Sequence, residues 1–370
     1  MSETRYRARD LGITIGTQPT GPLNAITDVP GVKVGHTTVW WGGPELTPGK
    51  GPARTGVTAI LPHDGDLFRE RFKAGIFAAN GVGEVIGSTC IREWGLIETP
   101  IVLTNSQGMG VAYDAVARWM MARDPLIGAE DTVIPVVGEC DDGMLNDVRG
   151  MHVLSEHVAA ALDSAADGPV AEGSVGAGTG MTCHDFKGGI GTSSRVVAAS
   201  GAQYTVGVLA MTNYGVRRRL TIDGVPVGRE ITELMPVENR EGSCIVVLAT
   251  DAPLSARQCE RMAKRCALGL AVTGSYAADS SGEFMVAFTT AHRIPRVTSA
   301  PVPVTSIGND VMYALFAAAV DATAESVYNS LTAATDTDGR DGNRSFALPL
   351  DRLVGTMGKF GRPAHLPDIG

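Results

Sequence analysis

Apolar residues in this chain gather into short, unbroken runs, most of them ending at glycine, asparagine or an acidic residue. Val57 to Leu61, Pro100 to Thr104, Val133 to Val137, Tyr204 to Ala210, Cys244 to Thr250 and Phe284 to Phe288 each have the length of a buried strand. Residues 11 to 40 read as strands and turns, with a turn at Thr27-Asp28-Val29-Pro30-Gly31 before Val32 to His36. Between the runs lie segments of helical character: Gly110 to about Ala122, His152 to Asp163, and a long helix from about Asp310 to Ala333. That last helix carries Val320, Ala324, Val327 and Leu331 on one apolar face. A further helix is announced by the capping-box pair Ser255 and Gln258 and by Cys259, Met262, Ala263, Cys266 and Ala267 at helical spacing. Strand and helix signals in alternation predict an α/β fold.

Glycine punctuates this pattern heavily. Asn80-Gly81-Val82-Gly83-Glu84 is a turn after an Ala/Phe-rich segment, and Asn105-Ser106-Gln107-Gly108-Met109-Gly110 joins a strand to a helix. The second has the outline of a phosphate loop, yet no cluster completes G-x-G-x-x-G or G-x-x-x-x-G-K-[ST], so no nucleotide site is expected. The density from Gly173 to Gly180 and from Phe186 to Arg195 points to tight turns and close backbone approach, because strands flank it on both sides. Asp336 to Asn343 reads as an exposed acidic loop that lacks the closing glutamate of a calcium loop.

Length and composition narrow the class only so far. With 370 residues and 44% hydrophobic content, the chain has room for a large core in one α/β unit or in two or three smaller ones. A net charge of -9 without a Lys/Arg-rich block argues against nucleic acid or an anionic membrane surface as the main partner and favours a small-molecule or peptide substrate. The polar start and the absence of any apolar run near membrane-spanning length predict a soluble cytoplasmic protein. The six cysteines form no CxxC pair, and the seven histidines have no ligand spacing. Reduced thiols, no metal and no cofactor are expected.

Candidate chemistry collects where the runs begin and end. At Ser243 a charged, flexible stretch, Asn239-Arg240-Glu241-Gly242, turns abruptly into the apolar run from Cys244. A hydroxyl at such a junction can reach back to the carbonyl of Gly242, and glycine permits the backbone geometry this needs. Cleavage there would leave Ser243 with a free α-amine of reference pKa about 7.7–8.0, able to act as base for its own hydroxyl. Gly-Ser alone says little, since the chain holds four such pairs, and plain loop-to-strand punctuation is the default reading of the residues alone. Glu139 and Asp141 are placed just past a strand, where carboxylates serve either a site or a solvated turn. Asn213 closes another strand, as an oxyanion donor or a turn residue, and Ser281 and Glu283 edge a third. His36 after a strand is a catalytic candidate or a satisfied structural group.

Taken in order, several segments resemble the self-processing L-aminopeptidase/D-Ala-esterase/amidase family, which includes the β-peptidyl aminopeptidases. They are Ile26 to His36, Leu103-Thr-Asn105, Val136 to Glu139 with Leu145-Asn-Asp147, Gly178 to Met181, Phe186 to Arg195, Met211-Thr-Asn213, Gly242-Ser243, Ser281-Gly-Glu283 and Ala347 to Asp351. The resemblance implies a single four-layer αββα sandwich, like the N-terminal-nucleophile hydrolases but differently connected. It implies cleavage into chains 1–242 and 243–370 that stay together, and assembly of these heterodimers, typically as a tetramer. By the same likeness Ser243 is the nucleophile, Asn213 the oxyanion donor, Glu139 the carboxylate for the substrate's ammonium, and Ser281 with Glu283 the pair that orients the nucleophile. The implied activity is release of N-terminal residues from short peptides, amides or esters. The alternatives are an acyltransferase of the ornithine acetyltransferase type, which usually exposes threonine, and a non-cleaving binding protein of the same fold. Asp141 stands where some relatives have tyrosine, and Val82 interrupts an asparagine-glycine pattern, which implies an altered substrate preference.

Overall fold

Residues 53–61 and 244–250 are buried at every position, as continuous apolar runs require of strands covered on both faces. They are interior strands of two sheets in the computed structural model, which describes residues 4–199, 201–237 and 242–367. Asn239, Arg240 and Glu241 of the charged run before Ser243 lie outside the described residues. In chain order the strands are β1 (Lys33–Trp41), β2 (Ala53–Leu61), β3 (Glu70–Gly81), β4 (Val85–Ile86), β5 (Leu96–Ile97), β6 (Ile101–Asn105), β7 (Val136–Cys140), β8 (Thr182–Cys183), β9 (Phe186–Lys187), β10 (Gly189–Ala199), β11 (Ala202–Thr212), β12 (Cys244–Thr250) and β13 (Gly282–Pro295), with a late hairpin of β14 (Thr337–Asp338) and β15 (Arg344–Ser345). The helices are α1 (Ser88–Trp94), α2 (Met109–Met121), α3 (Ser155–Asp163), α4 (Val227–Glu230), α5 (Ala256–Thr273), α6 (Asn309–Ala333) and α7 (Leu350–Lys359).

One sheet runs β1-β2-β6-β7-β4 and the other β10-β11-β12-β13-β3-β5. Period-two alternation sorts their side chains into three layers of core. Ile245 and Val247 of β12 meet Leu103 and Val136 of the opposite sheet between the two, while Val246 and Leu248 turn outward onto α5 and α6. On the other side Val102 and Val137 pack under α2 and α3. The result is the expected αββα sandwich. The sheets approach closely at Gly138, where an added Cβ would lie 3.1 Å from Ile245 Cγ2 of the facing sheet. That approach brings the next residue, Glu139, toward the start of β12.

Three expectations are corrected. The strand expected at Val133 to Val137 runs from Val136 to Cys140, so Glu139 lies inside its last turn of pleat rather than beyond it. The helix α6 is buried all round from Ala322 to Thr332, not along one stripe, because it sits under β10 and β11 with α5 beside it. The acidic segment from Asp336 folds back as the β14–β15 hairpin, and Asn343 is buried, its Nδ2 donating to the carbonyl of Met144 at 2.8 Å. The capping box at Ser255 and Gln258 is present as expected. All six cysteines are free thiols. Among the described residues no helix is long and apolar enough to cross a membrane.

Candidate active site

Strand register carries most of the site. In the parallel pair β12–β13, Cys244 stands opposite Glu283, so Ser243 lies beside Gly282, whose N–H donates to Ser243 Oγ at 3.3 Å. On the other flank β11 runs antiparallel with Thr212 opposite Cys244, and the Asn213 N–H donates to the carbonyl of Ser243 at 3.1 Å. Two neighbouring strands thus pin the peptide around Ser243 from both sides, and Ser243 itself is buried.

The carbonyl of Gly242 accepts a hydrogen bond from Ser281 Oγ, which also lies 2.5 Å from Glu283 Oε1. One hydroxyl has a single hydrogen. It has two acceptors in reach, the Gly242 carbonyl and Glu283 Oε1, so Ser281 links the carboxylate to the carbonyl.

Asn213 is buried with its carboxamide fixed at both ends. Its Oδ1 accepts from the Thr182 N–H at 2.8 Å and the Thr182 hydroxyl at 3.4 Å, and its Nδ2 donates to the carbonyl of Asp141 at 2.8 Å. The Asp141 carboxylate is exposed and accepts from the Gly143 N–H at 2.8 Å, so Asp141 reaches the site through its backbone.

Glu139 faces Ser243 across the sheet interface. Its Oε1 accepts from the Glu84 N–H at 3.0 Å, and its Oε2 accepts from Ser106 Oγ. Burial pushes the carboxyl above the ordinary glutamate range, and the bonds from Ser106 and Glu84 oppose that. Gly83, at φ +153°, borders the gap between the two groups. A Cβ there would sit 2.9 Å from Glu139 Oε1 and 3.5 Å from Ser243 Oγ, so a single point touches carboxylate and hydroxyl alike.

The Ser106 loop is fixed by a second buried carboxyl. Asn105 Nδ2 donates to both oxygens of Asp142 at 3.0 and 3.3 Å, and Asn105 Oδ1 accepts from the Gly108 N–H at 2.6 Å. Burial pushes Asp142 up to about 7 against these donors.

The structure therefore brings Gly242, Ser243, Asn213, Ser281, Glu283 and Glu139 into one cluster, with the backbone of Asp141 beside it and its carboxylate exposed. His36 is elsewhere: it is held by Thr58 at 2.9 Å and pushed down to about 4 by burial, which keeps it neutral. Ser106 and Thr182 were not singled out in the sequence. Ser106 sits in the glycine loop whose outline suggests phosphate binding, and Thr182 between two glycine-rich stretches, and neither setting marks the hydroxyl or amide that the site uses.

Comparison with known proteins gives the family and the fold. The model of peptidase family S58 matches residues 24–345. The chain is 43% identical over 366 residues to the beta-peptidyl aminopeptidase BapA of Sphingosinicella xenopeptidilytica, covering 95% of this chain and 90% of that protein. Among solved structures, a Burkholderia sp. beta-aminopeptidase superposes with a TM-score of 0.90 at 43% identity, over 96% of this chain and 99% of that one. The L-aminopeptidase D-Ala-esterase/amidase of Ochrobactrum anthropi, described as a variant of the Ntn hydrolase fold, superposes with a TM-score of 0.91 at 42% identity, over 97% and 99%. The chain belongs to peptidase family S58 and is an aminopeptidase, a hydrolase.

Proposed function

We propose that this aminopeptidase matures by cutting its own Gly242–Ser243 bond and then uses Ser243 as an N-terminal nucleophile. The observation that carries the reading is the polarised carbonyl of Gly242, bonded to Ser281 Oγ with Glu283 behind it, one residue before a buried serine hydroxyl. Attack by Ser243 Oγ forms a C–O bond at Gly242 and breaks the C–N bond, and the nitrogen takes the hydroxyl proton. Water then splits the ester into a Gly242 carboxylate and a free Ser243 amine. The products are chains 1–242 and 243–370, held together by the β11–β12 and β13–β3 ladders that join strands from either side of the cut.

In the mature enzyme the amine takes the hydroxyl proton while Oγ attacks the first carbonyl of a short peptide, amide or ester. The amine hands that proton to the departing group, and water releases the acyl residue. Glu139 holds the substrate's ammonium, Asn213 Nδ2 donates to the oxyanion, and Ser281 with Glu283 orients Ser243. Asp141, beside the cluster, tunes which acyl group fits. The relatives' names favour β-peptidyl substrates, and a reducing cytoplasm suits a chain with six free thiols; assembly as a tetramer of processed heterodimers is part of the same proposal. Intact mass and denaturing electrophoresis test the cut, and aminoacyl p-nitroanilides with α- or β-residues test the substrate.

Two variants probe individual roles. Asn213→Ala is expected to lower turnover about 10²–10³-fold once processed, and full turnover would remove its oxyanion role. Ser106→Ala takes away a bond that holds the Glu139 carboxyl down, so the acid limb of kcat/KM is expected to move to higher pH, with about a tenfold loss on the acid side. An unmoved limb would mean that Ser106 does not support the charged form.

A further inference from the structure

Lys187 lies on β9 with no part of it reaching solvent. Its ammonium donates to three backbone carbonyls, Gly178 at 2.9 Å, Met181 at 2.7 Å and Gly188 at 2.9 Å. An ammonium has three hydrogens, so this cradle uses all of them, and a neutral amine would leave one carbonyl bare. Burial works against the charge and pulls Lys187 down to about 7, and the three carbonyls act the other way. Among the described residues, the groups that act on it include no carboxylate. A buried cation without a counter-ion is one of the least favourable groups a core can hold.

What the cation holds is the turn that carries Thr182. Thr182 and Lys187 are cross-strand partners in the β8–β9 hairpin, and Gly178 and Met181 form the backbone leading into it. Thr182 in turn gives Asn213 Oδ1 both its N–H and its hydroxyl. Those bonds decide which end of the carboxamide points away: with Oδ1 taken by Thr182, Nδ2 faces the Asp141 carbonyl and Gly242.

We propose that Lys187 is a positioning residue for the reaction: its ammonium locks the Gly178–Gly188 turn so that Thr182 keeps the Asn213 amide aimed at the developing oxyanion. This rests on the assignment of Asn213 given above. The test is a double-mutant cycle on processed protein, with rates normalised to the fraction of chains bearing a free Ser243 terminus. Asn213→Ala alone tests the underlying assignment, and wild-type turnover there would overturn both readings at once.

Lys187→Met keeps the length of the side chain and removes its donors. It is expected to lower kcat about tenfold with KM within about twofold, and to add less than about twofold on top of Asn213→Ala. Losses that multiply in full in the double variant would assign Lys187 to general packing and overturn the positioning role while leaving Asn213 in place. Should Lys187→Met not accumulate as folded protein, Lys187→Gln, which keeps part of the donor set without the charge, supplies the same cycle. Failure of both to fold would make Lys187 a folding residue and reject the proposal.

Discussion

Ser243→Ala is expected to run as one band near 38.6 kDa on a denaturing gel and to hydrolyse aminoacyl amides about 10⁶-fold more slowly than the processed protein. One atom accounts for both losses. Ser243 Oγ is the attacker on the Gly242 carbonyl in the uncut chain and on the substrate carbonyl afterwards, so its removal stops maturation and turnover together. The fold is expected to survive. The hydroxyl accepts one hydrogen bond, from the Gly282 N–H at 3.3 Å, and the backbone bond from the Asn213 N–H to the Ser243 carbonyl does not depend on the side chain. A stability change within about 1 kcal/mol follows. Two fragments of unchanged mass from Ser243→Ala would mean that another group, or another protease, makes the cut. An uncut variant with wild-type activity would show that Ser243 is not the nucleophile.

The parts of this machine differ in how far the sequence exposes them. β12 is legible because a strand buried on both faces needs apolar residues at every position, and Cys244 to Thr250 supplies them. The polar residues at strand ends, Asn213, Ser243, Ser281 and Glu283, were visible as interruptions of such runs. Their meeting was not, because it depends on the register of a parallel pair whose members lie 39 residues apart, with Ser281 bonded to Gly242 across that gap. Ser106 reaches Glu139 over a separation of 33 residues, and nothing in its glycine loop distinguishes a carboxylate donor from a turn residue. The helix α6 shows why burial can be misread. Ser326, Asn329 and Ser330 look like a solvated face, yet each is buried with its hydrogen bonds made, Asn329 to the Thr192 carbonyl at 2.8 Å and Ser330 to Thr212 at 2.8 Å. Small polar residues pack under a sheet as well as apolar ones when the sheet supplies their partners. A hydropathy pattern records polarity and not the presence of those partners.

Glu139→Gln separates recognition from self-cleavage. The carboxylate takes no part in the bonds around the Gly242 carbonyl, so the variant is expected to yield both chains, whereas kcat/KM for substrates with a free amine is expected to fall about 10²–10⁴-fold. That range follows from leaving a desolvated ammonium without its partner, worth about 3–5 kcal/mol. The pH profile carries the sharper signature. A carboxylate must be ionised to hold an ammonium, and burial has raised this one, so recognition fails as pH drops through a higher value than an ordinary glutamate would give. The Ser243 amine must be neutral to take the hydroxyl proton, with a reference pKa of about 7.7–8.0, and so loses its role at still higher pH. As pH falls, the logarithm of kcat/KM is therefore expected to steepen from a slope of one to a slope of two, and Glu139→Gln to keep a slope of one throughout. N-acetylated substrates, which bring no ammonium, should be equally poor for both proteins. If Glu139→Gln retained the second limb, or lost activity equally on acetylated and free-amine substrates, the carboxylate would be supporting the site and not reading the amine.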